Sequence, residues 1–174
     1  MQCMSFPPAA RADARVLILG SMPGEASLRA QRYYAHPRNL FWPFMGALFG
    51  AGPELDYAQR LLALHAHGVA VWDVLAACVR PGSLDGRIER GSEVANDFAG
   101  FRAAHPQLER ICFNGGKAAE AFERHVARRL PAVVAGLALL ALPSTSPANA
   151  GQPRDAKFAA WRVALAAYAG PATA

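Results

Sequence analysis

RVLILGSMPG, residues Arg15–Gly24, sets the expected architecture of this chain. Val16 to Leu19 form an unbroken apolar run into Gly20, and a Ser-Met-Pro-Gly turn follows. A strand with one wet face alternates apolar and polar residues. An unbroken run reads as a strand covered on both faces, as in a parallel sheet under helices. Three further runs share this character: Val69–Val74 (VAVWDV), Arg110–Phe113 (RICF) and Leu137–Leu142 (LALLAL). The last also suits a helix by propensity, but its length and the following Pro143 favour a strand.

Helical spacing fills the intervals. Asn39–Phe49 sets Phe41, Phe44, Met45 and Leu48 on one side, and Tyr57–Ala66 sets Leu61, Leu62 and His65. Ser92–Ala103 is expected to turn Val94, Phe98 and Phe101 inward. Gly116–Arg128 and Arg154–Tyr168 complete the set, the last repeating Phe158, Trp161, Leu165 and Tyr168. Strands alternating with helices predict an α/β fold, a three-layer α/β/α sandwich on a central, mostly parallel four-stranded sheet. A single domain over 1–174 is expected. Loosely ordered ends are expected near 1–13 and 169–174, where Phe6-Pro7-Pro8 and Gly170-Pro171 lie.

Composition narrows the function classes. The chain is 53% hydrophobic and 18% charged, which suits a folded globule. Its 18 basic and 13 acidic side chains leave a formal charge of +5, which suits a polyanionic partner as well as an ordinary basic surface. Cys3, Cys78 and Cys112 are sparse and far apart, which speaks against a disulfide scaffold or a thiolate metal site. Residues 1–14 show no apolar signal core, and Val133–Leu142 is too short to span a bilayer. The expectation is a cytoplasmic, monomeric protein with no membrane, metal or organic cofactor.

In open parallel sheets ligands bind beyond the carboxyl ends of the strands. The segments there are Ser21-Met22-Pro23-Gly24, Trp72-Asp73, Asn114-Gly115-Gly116-Lys117 and Pro143 to Asn149. Turns rich in Gly, Pro and Ser let backbone approach a ligand closely. Gly20 and Gly24 flank such a turn, so the amides around Ser21, Met22 and Pro23 become candidate ligand contacts. Tyr33 and Tyr34 sit in a polar loop, where a ring can cover a flat base or plug a crevice. Asn39 reads either as a helix cap or as an amide that positions water or substrate. Asn114 reads as a turn residue or a base contact, and Asp73 as a cap or a substrate contact. His36 reads first as a partner of a backbone carbonyl. Ser144, Ser146, Pro147, Ala148 and Asn149 form a turn with a candidate docking role. Arg29, Arg32, Arg38, Lys117 and Arg154 are candidate phosphate contacts.

Taken in order, these motifs form a resemblance. GSMPG (20–24) followed by YAHPRNLFW (34–42) resembles the first motif region of mismatch-specific uracil-DNA glycosylases. SMPGEAS, FNGGKA (113–118) and LPSTSPAN (142–149) are closer still to the hypoxanthine-DNA glycosylases, the deoxyinosine-removing branch of that superfamily. The resemblance runs from about Val16 to Trp161. It implies that Tyr34 stacks on an extruded base and that Asn39 supplies the catalytic amide. It implies that the Ser144–Asn149 turn pinches the DNA backbone. Met22 stands where better-known branches place Asp or Asn, and methionine can neither orient nor activate water. Ala148 stands where relatives often carry a bulkier wedge.

The implied reaction is hydrolysis of the N-glycosidic bond of a flipped, deaminated nucleotide in DNA. Without a carboxylate in the first motif, catalysis must lean on leaving-group stabilisation and water placement. Hypoxanthine suits such a site because its lactam shares the negative charge. The rival readings are a uracil or thymine-mismatch glycosylase and a non-catalytic nucleic-acid binding module. A nucleotide-binding protein is disfavoured, since neither GxxxxGK[ST] nor GxGxxG occurs.

Overall fold

The computed structural model describes residues 1–170. Its centre is a four-stranded parallel sheet built from β2 (Val16–Gly20), β3 (Val69–Asp73), β6 (Arg110–Asn114) and β7 (Ala138–Leu142), in the order β3-β2-β6-β7. Every residue of β2 and β3 is buried, as unbroken apolar strands require. Leu19 lies in register with Trp72 and Phe113, so the three share one face. On that face Trp72 packs on Phe98 and Phe101 of α4 (Phe98–Ala104), and Phe113 packs on Phe122 of α5 (Gly116–Phe122). A second helical group joins α2 (Phe41–Phe49), α3 (Tyr57–Ala66) and α7 (Arg154–Leu165), with Phe44 against Phe158 and Trp161. This is the expected α/β architecture.

Four local expectations are corrected. β7 is not covered on both faces: it is an edge strand, Ala138, Leu139 and Ala141 are exposed, and only Leu142 is buried. The helix expected from Ser92 begins at Phe98. Ser92 is used instead in a turn, where its hydroxyl accepts from the Val79 N–H and donates to the Glu89 carbonyl. Asp97 caps the true start by accepting from the Gly100 N–H at 2.9 Å. Val94 accordingly lies in a short strand, β5 (Val94–Ala95), and is 57% exposed.

The third correction is the amino-terminal end, which is tied down. β1 (Gln2–Met4) pairs antiparallel with β4 (Leu75–Val79), which also pairs with β5. Ala9 exchanges backbone hydrogen bonds with Val71, and the Phe6 and Pro7 carbonyls accept from Trp72 and Tyr33. The fourth is a helix that the sequence reading lacks, α1 (Glu25–Ala30), directly after the SMPG turn. At the other end Ala169 still packs on the core, while the expected loosening over 171–174 falls outside the described residues. Among the described residues no helix is long and apolar enough to cross a membrane.

Candidate active site

All four parallel strands end at one cavity of about 560 Å³. Gly20, Asp73 and Asn114 are the last residues of β2, β3 and β6, and Ser144 follows β7; all four line it. The sheet order changes direction between β2 and β6, where a crevice opens in folds of this kind.

The structure gathers most of the expected residues there. Ser21, Met22, Pro23, Gly24, Tyr34, Arg38, Asn39, Ser146, Pro147 and Ala148 line the same cavity. Lys117 and Asn149 do not. Lys117 is exposed and pairs with Glu120 one helical turn on; the Asn149 carbonyl is turned to Lys157. Of the other basic candidates, Arg29 lines the cavity, Arg32 lies over the Tyr57 ring, and Arg154 is exposed outside the lining.

Tyr34 stacks on Phe41 with ring centroids 3.9 Å apart, which leaves one ring face for a ligand. Its φ of +55° is the left-handed region, so the ring is held there against backbone preference. The Asn39 Oδ1 accepts from the N–H of Phe41, the first residue of α2, at 2.9 Å. Asn39 thus serves one free amide at the start of α2, although Leu40, not Asn39, is the residue directly before the helix. The Nδ2 has no protein partner among the described residues. His36 differs from expectation: its Nδ1 accepts from the Arg38 N–H and does not donate to a carbonyl.

Asn114 is a brace. Its amide donates to Thr145 Oγ1 at 2.8 Å, and its Oδ1 accepts from the Thr145 N–H at 2.9 Å. Gly115, at φ +100°, lets Ser144 approach; a Cβ there would meet the Ser144 Cβ at 3.0 Å. The Leu40 N–H donates to the Thr145 carbonyl, which ties the start of α2 to the same turn.

Several site residues escaped sequence reading. Arg80 is fully buried and donates to the Gly82 and Pro23 carbonyls and to Asp85. Ser21 Oγ donates to Asp85, and Ser83 Oγ accepts from the Glu25 N–H. The loop over Ser83–Asp85 thus forms a wall of the cavity and props the SMPG turn. Lys157, 2% exposed on α7, donates to the Ser144 and Asn149 carbonyls, and Trp161 donates to the Pro143 carbonyl. No spacing motif marks these contacts. The sole available signal was a charged residue inside an apolar helical stripe, at Lys157.

Asp73 is 3% exposed. Burial pushes its carboxyl up to about 8; nearby Asp85 adds to the rise and Arg80 opposes it. Burial and the same carboxyl also raise the Tyr34 hydroxyl, so it stays protonated. Met22 is buried in the core and offers no polar group in the first motif.

The sequence pattern of the Uracil DNA glycosylase superfamily matches residues 7–166. The chain belongs to that superfamily. Two relatives named hypoxanthine DNA glycosylase share its sequence. One, from Methanosarcina acetivorans, is 40% identical over 66% of this chain and 72% of its own. The other, from Methanosarcina barkeri, is 37% identical over 69% of this chain and 75% of its own. Among solved structures of the superfamily, the solution NMR structure of a candidate uracil DNA glycosylase from Methanosarcina acetivorans is similar. It covers 97% of this chain and 99% of its own at 33% identity, with a TM-score of 0.79.

Proposed function

We propose that the protein is a monofunctional DNA glycosylase that receives a flipped, deaminated base, hypoxanthine foremost, and hydrolyses its N-glycosidic bond. One observation carries this reading: the loop holding Tyr34 and Asn39 and the Ser144–Ala148 turn, far from it in sequence, line a single cavity at the strand ends. The names of the two Methanosarcina relatives support the choice of hypoxanthine. So does Met22, since a uracil- or thymine-type site would want a polar group in the first motif.

In this reading the free face of Tyr34 covers the base. Asn39 Nδ2, left over after capping, holds the attacking water or the base. Backbone amides of the Ser21–Gly24 turn face the charge that builds on the leaving group. Arg38, Arg29 and the Ser144–Ala148 turn hold phosphates, and Asn114 keeps that turn in place. The protein works as a monomer in the cytoplasm, without a cofactor.

The test is base release from duplexes carrying deoxyinosine, deoxyuridine or a G·T mismatch, read as strand scission at the abasic site. Deoxyinosine should be processed fastest. Asn39→Ala should bind DNA as before but release base about 10²-fold more slowly or worse. Faster release of uracil would remove the hypoxanthine preference, and release from no duplex would remove the enzyme.

A further inference from the structure

Among the described residues, five that line the cavity stand exposed at its mouth: Arg29, Arg38, Ser83, Leu84 and Ala148. Leu84 is the one large apolar side chain of the five, and it is 50% exposed. Every other large apolar side chain that stands exposed among the described residues lies outside the lining. A single exposed leucine is ordinary on a protein surface. One held rigid at the mouth of a cavity calls for an occupant.

The chain pins Leu84 from both sides. Ser83 Oγ accepts from the Glu25 N–H at 2.8 Å. Asp85 accepts from the Ser21 hydroxyl and, at 3.2 Å, from the fully buried Arg80. The Leu84 carbonyl accepts from the Arg87 N–H at 2.9 Å, which closes a short turn. Two of these bonds run to the Ser21–Glu25 segment, so the leucine is fixed relative to the turn after β2. Its backbone has little freedom to draw the side chain back into the core. A side chain already held in place also loses little entropy when a partner meets it.

We infer that Leu84 enters the DNA stack where the flipped nucleotide has left it and keeps the gap from closing. The inference rests on the glycosylase reading and adds to it a positioning residue on the loop after β4. Taking a nucleotide out of a duplex costs its stacking and pairing, and the bases on either side regain contact if the gap closes. An apolar side chain fills such a gap by exchanging water for base faces. Of the five exposed lining residues, Leu84 alone suits the task. Arg29 and Arg38 would have to strip water from a charge, and they suit phosphates. Ser83 and Ala148 are too short, and the Ser83 hydroxyl is committed to Glu25. In this role Leu84 touches neither the sugar–base bond nor the leaving group. It sets how much of the bound DNA holds its base in the cavity, not how fast the bond breaks there.

The experiment is single-turnover release of hypoxanthine under saturating protein, for wild type, Leu84→Ala and Leu84→Met, from two duplexes. In one, deoxyinosine faces deoxycytidine. In the other it faces an abasic-site analogue, which leaves no base pair to break. A 2-aminopurine beside the deoxyinosine reports unstacking by its fluorescence, whether or not base is released. Leu84 stands half in water, so both variants should keep the fold. Leu84→Ala should release base from the paired duplex about 10- to 100-fold more slowly. On the unpaired duplex its loss should be about threefold or less. Leu84→Met conserves volume and apolar character and should stay within about threefold of wild type on both. The probe should brighten when wild type binds, and Leu84→Ala should lose most of that rise. Equal rates for Leu84→Ala and wild type on the paired duplex, equal losses on the two duplexes, a methionine variant as slow as the alanine variant, or a probe that wild type leaves dark or Leu84→Ala brightens as fully overturns the inference and leaves the glycosylase reading standing. A wild type that brightens the probe yet releases no base supports insertion and overturns the glycosylase reading instead.

Discussion

Tyr34 holds its ring on Phe41 from a left-handed backbone position. Replacing it with alanine removes a stacking surface for the base, so substrate engagement should weaken by about 1–3 kcal/mol. Titration of deoxyinosine DNA, compared with undamaged duplex, measures this; equal losses on both would show that the ring does not touch the lesion. Gly20 is fixed by a different constraint. A methyl at Gly20 would collide with the Asp73 carboxyl, so Gly20→Ala should cost about 1–3 kcal/mol of stability by overpacking. A shift of the urea midpoint at constant slope reads it. At this scale sequence reading pointed to Tyr34, Asn39, Asp73 and Asn114, and the fold brings all four to the cavity lining. The Asn114 side chain braces Thr145, a partner 31 residues away whose proximity no local pattern encodes.

At the scale of elements, α7 works as an anchor for the Pro143–Asn149 turn. The turn closes one backbone hydrogen bond of its own, Asn149 N–H to the Ser146 carbonyl, and Lys157 and Trp161 satisfy the Pro143, Ser144 and Asn149 carbonyls from outside. Lys157→Met preserves the buried aliphatic stem and removes the donor. It should lower stability by about 1–3 kcal/mol through two stranded carbonyls. It should also speed amide exchange in the turn and weaken DNA binding while the sheet stays protected, which hydrogen exchange followed by mass spectrometry resolves residue range by residue range. Unchanged exchange in the turn would mean that Trp161 and Asn114 hold it without Lys157. The helix starts were legible only in part. Asp97 is an ordinary capping residue, yet Ser92 offered an equally good local signal, and the fold used Ser92 for a turn against β4. Local propensity ranks such sites; packing chooses between them.

For the whole molecule, the +5 charge matters by where it lies. Lys117, Arg124 and Arg128 are paired with Glu120, Glu93 and Glu123 on the surface. Arg38 and Arg29 line the cavity and take part in no ion pair among the described residues. Each phosphate neutralised by a side chain adds about 0.9 to the salt slope of DNA binding. Arg38→Ala should reduce the slope by about that amount, whereas Lys117→Ala should leave it unchanged, as fluorescence anisotropy over a salt series would record. Equal effects would mean that DNA contacts the α5 face as well.

The parallel sheet was readable because a strand buried on both faces must be apolar throughout, and VLIL and VAVW satisfy that rule without outside help. The ligand edge followed, since the carboxyl ends of parallel strands lie on one rim whatever the loop lengths. The second sheet was hidden inside the same signal. VAVWDVLAACV is a nearly continuous apolar run, and it becomes two strands only because Val74 and Leu75 turn to donate to the Gly20 and Ser21 carbonyls. Arg80 was equally hidden. A lone arginine before Pro-Gly reads as surface, and its burial is possible only because Pro23, Gly82 and Asp85 converge on it. Chain-local chemistry thus determined which segments are strands and which turns can face a ligand. Tertiary structure decided which polar groups are spent on holding those turns and which, like the Oδ2 of Asp73, are left without a partner among the described residues, because a hydrogen bond between distant residues depends on where the fold brings them and not on their spacing.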